Sequence, residues 1–316
     1  MIPPQPEWAP VERLFTAVPW DEREWGEMLD AAKEEVLNFS SKIAAAGTRV
    51  SMLVRGDEAV PPGIDSVASQ HGDIWLRDTG PFFVGHEARA FGFNGWGGKF
   101  VMAGDETVPT TLGDAAKRPL TSETNVTFVL EGGAIDHDGT GLAITTEQCL
   151  LNPNRNGDVT KAEVEQVLCE HLGIDRVVWL GNGLMNDHTD GHVDNLARFV
   201  APGRVVVPVA DAPDDPNGDI YEDAAGKVVA AGLDLLRMPS AGLVTDEGGA
   251  LVPASYANFV LSNELVVVPQ FGVPNDAAAV RALGELFPTR RAVGLSAHAI
   301  LSGGGAFHCM TKELPR

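Results

Sequence analysis

A strand that runs into a turn of Gly, Asp or Asn recurs five times along the 316 residues, and this repetition most limits what the chain can fold into. It occurs at IWLRDTG (74–80), FVLEGGA (128–134), GHVDNLARFV (191–200), ASYANFVLSN (254–263) and SAHAILSGGGAFH (296–308). The landmarks Asp78, Glu131, His192, Asn258 and Gly305 are separated by 53, 61, 66 and 47 residues. A unit of that size cannot bury its apolar face alone, so five similar units are expected to pack into a closed, propeller-like α/β ring. A prior of about 150 residues per domain suggests two domains. No low-complexity tract or linker divides the chain, however, and DAPDDPNGD (211–219) reads as a surface loop, so residues 1–316 are read as one domain.

Helix and strand patterns alternate throughout. Asp21–Ala45 reads as helical, with Trp25, Met28, Leu29, Ala32 and Val36 at helix spacings. Thr160 and Glu163 form a capping box for a helix expected to end near Gly173, and Asp276 is expected to cap another that stops before Pro288. TRVSMLVRG, NVTFVLEGGAI, RVVWLG, GRVVVPVA and ELVVVPQFG read as strands.

The 23 basic and 44 acidic residues leave a formal charge of −21. Such a surface repels nucleic acid and anionic lipid and draws in a small cation, although solubility or salt adaptation is the favoured explanation. Apolar runs such as Val205–Val209 and Leu265–Val268 fall far short of the roughly 20 residues that a membrane span requires. The start, MIPPQPEWAPVERLF, lacks the basic and then apolar stretches of a signal peptide, so a cytoplasmic protein is expected. Cys149, Cys169 and Cys309 are too few and too widely spaced for a disulfide framework.

Polar residues concentrate in four stretches beside strands: DIWLRDTGP, EGGAID, NDHTDGHVDN and LSGGGAFHCMTKELP. In the last, three glycines and His308 precede Cys309. A thiol is only a few per cent ionised at neutral pH and needs a nearby base or cation, for which His308 or a histidine brought close by folding would serve. Cys169, at the edge of a helix stripe, is expected to be a buried small apolar residue, and Cys149 to pack a strand end. His192 and Asp194 are two apart, so on a strand they share a face, an acid/base beside a carboxylate. Glu131 could orient His192 as a third group orients a triad base, or merely cap a turn.

A zinc site of His188, His192, Asp194 and His308 is disfavoured. The segment is rich in Asn, Asp and Gly, so the i, i+4 helix face is lost. On an extended chain, ligands four apart lie about 13 Å from each other.

As a set, WLRDTGP, EGGAI, TTEQCLLNPNRN, NGLMNDHTDGHVDN and GGGAFHCMT resemble, in order, motifs of the agmatine deiminase and bacterial peptidyl-arginine deiminase family, within the guanidine-modifying pentein superfamily. EWAPVERLFTAVPWDEREW resembles the family's start and FNGWGGKF (93–100) its Trp-Gly-Gly segment, so the likeness covers almost the whole chain. The resemblance implies a five-bladed, pseudo-fivefold α/β-propeller of ββαβ-type repeats. It implies a hydrolase that converts agmatine to N-carbamoylputrescine and ammonia, in polyamine (putrescine) biosynthesis, without metal or organic cofactor. Cys309 would attack the guanidinium carbon and His192 would shuttle protons with support from Glu131. Asp78 and Asp194 would bind the guanidinium nitrogens, and Trp75, Trp96 and Gly305 would lie at the substrate.

Two positions depart from the family pattern: His188 replaces the usual acid before the threonine, and Asp190 stands where asparagine is common. The distal amine of agmatine would then need Asp187, Asp190 or an acid elsewhere. Peptidyl-arginine, free arginine or another alkylguanidine is the nearest alternative substrate, with an amidinotransferase further off. A non-catalytic binding protein on the same fold and a metal-dependent amidohydrolase are the readings from other classes. The expected partner is a small cationic guanidine, with no nucleic acid and no membrane; homo-oligomerisation is left open.

Overall fold

In the computed structural model, which describes residues 1–121 and 125–316, five small mixed sheets repeat one connection. Two strands form an antiparallel hairpin, a helix crosses over, and a third strand pairs parallel to the second. A parallel pair needs such a crossover because its ends lie at opposite edges of the sheet. The repeat is seen plainly in Ile135–His137, Leu142–Thr146, helix Lys161–Leu172 and Arg176–Leu180. It recurs in Arg198–Ala201, Arg204–Val209, helix Gly218–Ala230 and Asp234–Pro239, and again in Val260–Leu261, Leu265–Gln270, helix Asp276–Leu286 and Arg291–Ser296. Phe82–Val84, Glu87–Gly92, helix Val108–Ala115 and Asn125–Val129 make a fourth copy.

The remaining sheet joins the two ends of the chain. Lys312–Pro315 pairs antiparallel with Val11–Ala17, in register Val11 to Pro315 and Phe15 to Lys312. Helix Leu29–Ala45 then leads to Val50–Val54, parallel to the first strand, and Asp65–Ala68 adds a fourth strand.

A short helical turn precedes each hairpin: Leu76–Thr79, Gly132–Ala134, Val193–Asn195, Tyr256–Asn258, and residues 307–310 before the last strand. These turns touch in cyclic order. The first four pack on one another in sequence. His308 N–H then donates to the Asn258 carbonyl at 3.2 Å, and Arg77 N–H donates to the Cys309 carbonyl at 3.0 Å, which completes the circle. The five landmarks of the sequence lie in these turns or within two residues of them.

Apolar strands such as Val266–Val268 are wholly buried on both faces, each side chain contributing about 1.5–3 kcal/mol, and this fixes the frame around the turns.

Several local expectations are met and others are corrected. Thr160 and Glu163 form the expected capping box, and Gly173 ends that helix in the left-handed conformation at φ 63. The helical stretch from Asp21 is broken at Gly26 (φ 52) into Glu22–Trp25, a 3-10 turn Gly26–Met28, and Leu29–Ala45. Trp25, Leu29, Ala32 and Val36 are buried, whereas Met28 is only partly so. Asp276 opens its helix without capping it, because its carboxylate accepts from the Tyr256 hydroxyl at 2.7 Å and the Gly272 amide at 2.9 Å.

GHVDN is not a strand. Asp190 and Gly191 take φ of 62 and 86, which turns the chain, and Val193–Asn195 follows as a 3-10 turn. Cys169 is exposed, one step off the buried Val164, Leu168 and Leu172 stripe. Among the described residues, no helix is long and apolar enough to cross a membrane.

Candidate active site

The turn 307–310 is pinned from beneath by Asn258, whose side-chain oxygen accepts from the His308 and Cys309 amides at 2.8 and 3.2 Å. The same amide group donates to the Cys309 sulfur at 3.1 Å, and Asp194 Oδ2 lies 3.6 Å from that sulfur. Cys309, 4% exposed, faces a cavity of about 130 Å³ whose walls include Trp75, Trp96, Phe100, Asp78, Asp73, Glu24 and His188. Gly305 carries no side chain because a Cβ there would stand 2.7 Å from the Trp75 ring and 3.2 Å from the Cys309 sulfur. Bare backbone at this point leaves the thiol open to a flat ligand.

Asp78 and Asp194 converge from different turns. A Cβ on Gly133 would meet Asp78 Oδ1 at 3.0 Å, Asp194 Oδ2 at 3.0 Å and His192 Nδ1 at 2.6 Å, so glycine is required where these groups crowd together. Asp78 accepts from the Gly133 amide at 2.9 Å and from the Trp96 indole N–H at 2.9 Å. Burial, with Asp194 and Glu131 nearby, pushes its carboxyl above the usual aspartate range despite His192 and the Trp96 donor. Asp194 is equally buried, but its Oδ2 is 2.7 Å from His308 Nδ1; that bond and charge, with His192, hold its carboxyl low. Among the described residues its Oδ1 has no partner, and Asp194, like His192, lies behind the cavity wall rather than in its lining.

Trp96 sits at φ 52, a left-handed conformation that costs a large side chain about 1–3 kcal/mol and is held here by the indole bond to Asp78.

His192 is fully buried and, among the described residues, neither ring nitrogen has a hydrogen-bond partner, Nδ1 being 3.7 Å from Asp78 Oδ1. Burial opposes its charged form, but Asp78, Cys149 and Glu131 outweigh that and raise it well above the ordinary histidine value. Cys309 moves the same way for the opposite reason. Burial and the charges of Asp194 and Asp78 push its thiol well above the normal range, against the Asn258 donor.

The structure brings Cys309, Asp78, Asp194, His192, Trp75, Trp96 and Gly305 together. Glu131 is close, but its hydrogen bond goes to Arg155 Nε at 2.6 Å rather than to His192. Arg155 also bonds Asp190 and the Thr189 carbonyl, the latter at 2.7 Å, and Lys99 pairs with Asp190 at 2.7 Å. Asp190 thus braces the histidine segment. Asp187 does not line the cavity: its carboxylate accepts from Thr189 N–H at 2.9 Å and Asn195 Nδ2 at 3.3 Å.

The His308 ring points away from the thiol, to Asp194 and Glu7. Glu131, Cys149 and His192 are the described side chains close enough to share an ion, within 4.8 Å of one another, which is not the set considered from sequence. The Arg155 guanidinium on Glu131 Oε1 would oppose a cation there by its charge. Cys149 is buried at the start of helix Glu147–Leu150, beside His192 and not only against a strand end. Sequence reasoning passed over Arg155, Asn258 as a thiol contact, and Glu7. Arg155 and Asn258 stood inside quoted motifs, but their partners lie 24 and 51 residues away.

Five small mixed sheets, with a buried thiol, two carboxylates and an imidazole brought near one another, define the chain as an α/β protein with a compact ionisable centre. A model of the Porphyromonas-type peptidyl-arginine deiminase family matches residues 4–315, and the chain belongs to that family. It is 34% identical to the agmatine deiminase of Stutzerimonas stutzeri, over 98% of this chain and 94% of the relative. An agmatine deiminase of Enterococcus faecalis superposes with a TM-score of 0.90 at 30% identity, covering 99% of this chain and 95% of that one. The C. jejuni agmatine deiminase with substrate bound gives 0.88 at 27% identity, with 100% and 97% covered. A dimethylarginine dimethylaminohydrolase, only 11% identical, shares the fold with a TM-score of 0.58.

Proposed function

We propose that the protein is an agmatine deiminase, hydrolysing the guanidine of agmatine to N-carbamoylputrescine and ammonia through a covalent intermediate on Cys309. The fold is read as a single five-bladed, pseudo-fivefold α/β-propeller over residues 1–316, supported by the cyclic contact of the five turns. The observation that carries the function is the Cys309 sulfur, which opens with Asp78 onto an aromatic-walled cavity and has Asp194 Oδ2 3.6 Å behind it. A guanidinium is planar, permanently charged and edged with donors suited to paired carboxylates. Its carbon is a poor electrophile, so it needs both polarisation by anions and attack by a thiolate.

The resting Cys309 is a thiol, held so by burial and by the two anions. When the cation enters, those charges are offset and the thiol loses its proton to solvent. The thiolate adds to the guanidinium carbon. His192, charged at rest, gives its proton to one amino group, and ammonia departs with the carbon–nitrogen bond, leaving a thiouronium on sulfur. Neutral His192 then takes a proton from water, hydroxide adds to the same carbon, and the carbon–sulfur bond breaks as the hydroxyl proton passes to sulfur, releasing the ureido product and restoring the thiol. His192 ends as it began. Glu131 and Arg155 support the imidazole side, and Trp75 lines the cavity near the substrate. Asp73, pushed up to about 6 by burial, and Glu24 line the same cavity and offer the distal ammonium its anions.

The test is ammonia release from agmatine, arginine, arginine peptides and short alkylguanidines by the purified protein. Agmatine is expected to give the highest kcat/KM, and Cys309→Ser to bind it without turnover. Equal activity of Cys309→Ser would reject the nucleophile. Higher kcat/KM on another guanidine would reject agmatine.

A further inference from the structure

Directly behind the proposed guanidinium clamp lies a buried run of charged groups that the chemistry above does not use. It begins on the N-terminal segment. We infer that Glu7 is a positioning residue: through His308 it fixes the Asp194 carboxylate beside the Cys309 sulfur.

The two ring nitrogens of His308 face two carboxylates. Nδ1 is 2.7 Å from Asp194 Oδ2, and Nε2 is 2.7 Å from Glu7 Oε1, across 301 residues of sequence. A neutral imidazole has one N–H and can satisfy only one of them, whereas the imidazolium donates to both. Glu7 is itself committed to the ionised form. Its Oε1 is 3.0 Å from Arg77 Nη1, its Oε2 pairs with Arg198, and these cations hold its carboxyl well below the usual range although burial opposes this. The His308 backbone is fixed independently by Asn258, so the ring has little freedom to turn.

A carboxylate that served only to anchor the N-terminal segment would be satisfied by Arg77 and Arg198. The third contact, to His308, leads to an oxygen 3.6 Å from the Cys309 sulfur. The groups around the relay are Arg77 and Arg198 beside Glu7, Asp136 at 3.5 Å from Arg198, Glu313 at 2.7 Å from Arg77, and His192 and Asp78 across the clamp. Arg198, His308 and Asp194 are each at most 1% exposed, so no water shell substitutes for a lost partner.

The experiment is Glu7→Gln, which keeps an acceptor oxygen and removes the charge. In protein labelled with 15N-histidine, the His308 signals are assigned by their loss in His308→Gln. The expected result is two ring N–H protons on His308 in the parent and one in Glu7→Gln. This readout needs no substrate, so it decides the relay even if no guanidine proves to be turned over. The kinetic arm rests on the deiminase reading: kcat/KM for agmatine should fall about 10- to 100-fold, mostly through KM, as support for a substrate-holding group is lost. A folded Glu7→Gln protein whose His308 keeps both protons, or whose KM is unchanged, overturns the inference. Should Glu7→Gln fail to fold, His308→Gln is read for KM. Wild-type KM in that variant, or failure of both to fold, assigns the pair to stability alone and overturns the proposal.

Discussion

The turns that carry Asp78 and Asp194 do the same local job and end with opposite electrostatics. Both aspartates are buried, both sit in a short helical turn before a hairpin, and both approach one point beside Gly133. Asp78 is held by neutral donors, an indole and an amide, and it faces other anions, so burial wins and its carboxyl moves up. Asp194 is held by the His308 ring, so the same burial is overcome and its carboxyl moves down. The comparison teaches that depth alone does not set charge in this site; the partner does. Both arms face the thiol as anions, and burial makes Asp78 the easier of the two to protonate.

The largest expected break of this asymmetry is in turnover. Asp194→Asn should lower kcat/KM for agmatine by about 10²–10³-fold, the loss typical of a preorganised group facing a developing charge. Asp78→Asn, removing a carboxylate already partly disposed to protonation, should cost less in the same assay. A reversed order would show that the partner argument assigns the arms wrongly.

Stability should separate them by sign. A carboxyl raised in the fold loses stability as pH rises through its folded value, whereas one that is lowered contributes stability that is lost as pH falls through its own. At pH 7, Asp78→Asn is therefore expected to raise Tm and Asp194→Asn to lower it by stranding the His308 ring, as read by thermal unfolding. Equal shifts would erase the distinction.

The pH profile sharpens it further. As pH falls from neutrality, Asp78 takes its proton before Asp194 does, so the acidic limb of kcat/KM should move to lower pH in Asp78→Asn. An unmoved limb would remove Asp78 from it. Trp96→Phe, which deletes one neutral donor to Asp78, should raise KM only a few-fold, about 1 kcal/mol. Cys169→Ala, on the exposed face of its helix, should change neither activity nor Tm; a folded but inactive variant would mean the thiol assignment is misplaced.

Much of the frame was legible because it rests on short-range rules. Thr160, Glu163 and Gly173 announced a helix with both caps, and the five recurrences announced five units, although IWLRDTG holds no strand and in GHVDNLARFV and ASYANFVLSN the turn comes before the strand. Failures came where one torsion outweighed a pattern. Gly26 at φ 52 split the expected helix, and Asp190 and Gly191 turned GHVDN away from a strand. His192 and Asp194 still converge, but through a 3-10 turn. Cys169 sat one position from an apolar stripe, and periodicity does not resolve a single step around a helix. Asp187 looked like a free acid because nothing in a sequence reveals that Thr189 and Asn195 would take up its oxygens.

By itself, the sequence determined which residue types could do chemistry and where the chain must turn, because nucleophilicity, charge and glycine's torsional freedom are properties of residues. Tertiary structure alone decided which charges those groups carry. Glu7 reaches His308 across 301 residues, and Arg155 rather than His192 claims Glu131. Protonation in a buried site depends on neighbours within a few ångströms, and that distance is set by the closing of the ring rather than by position along the chain.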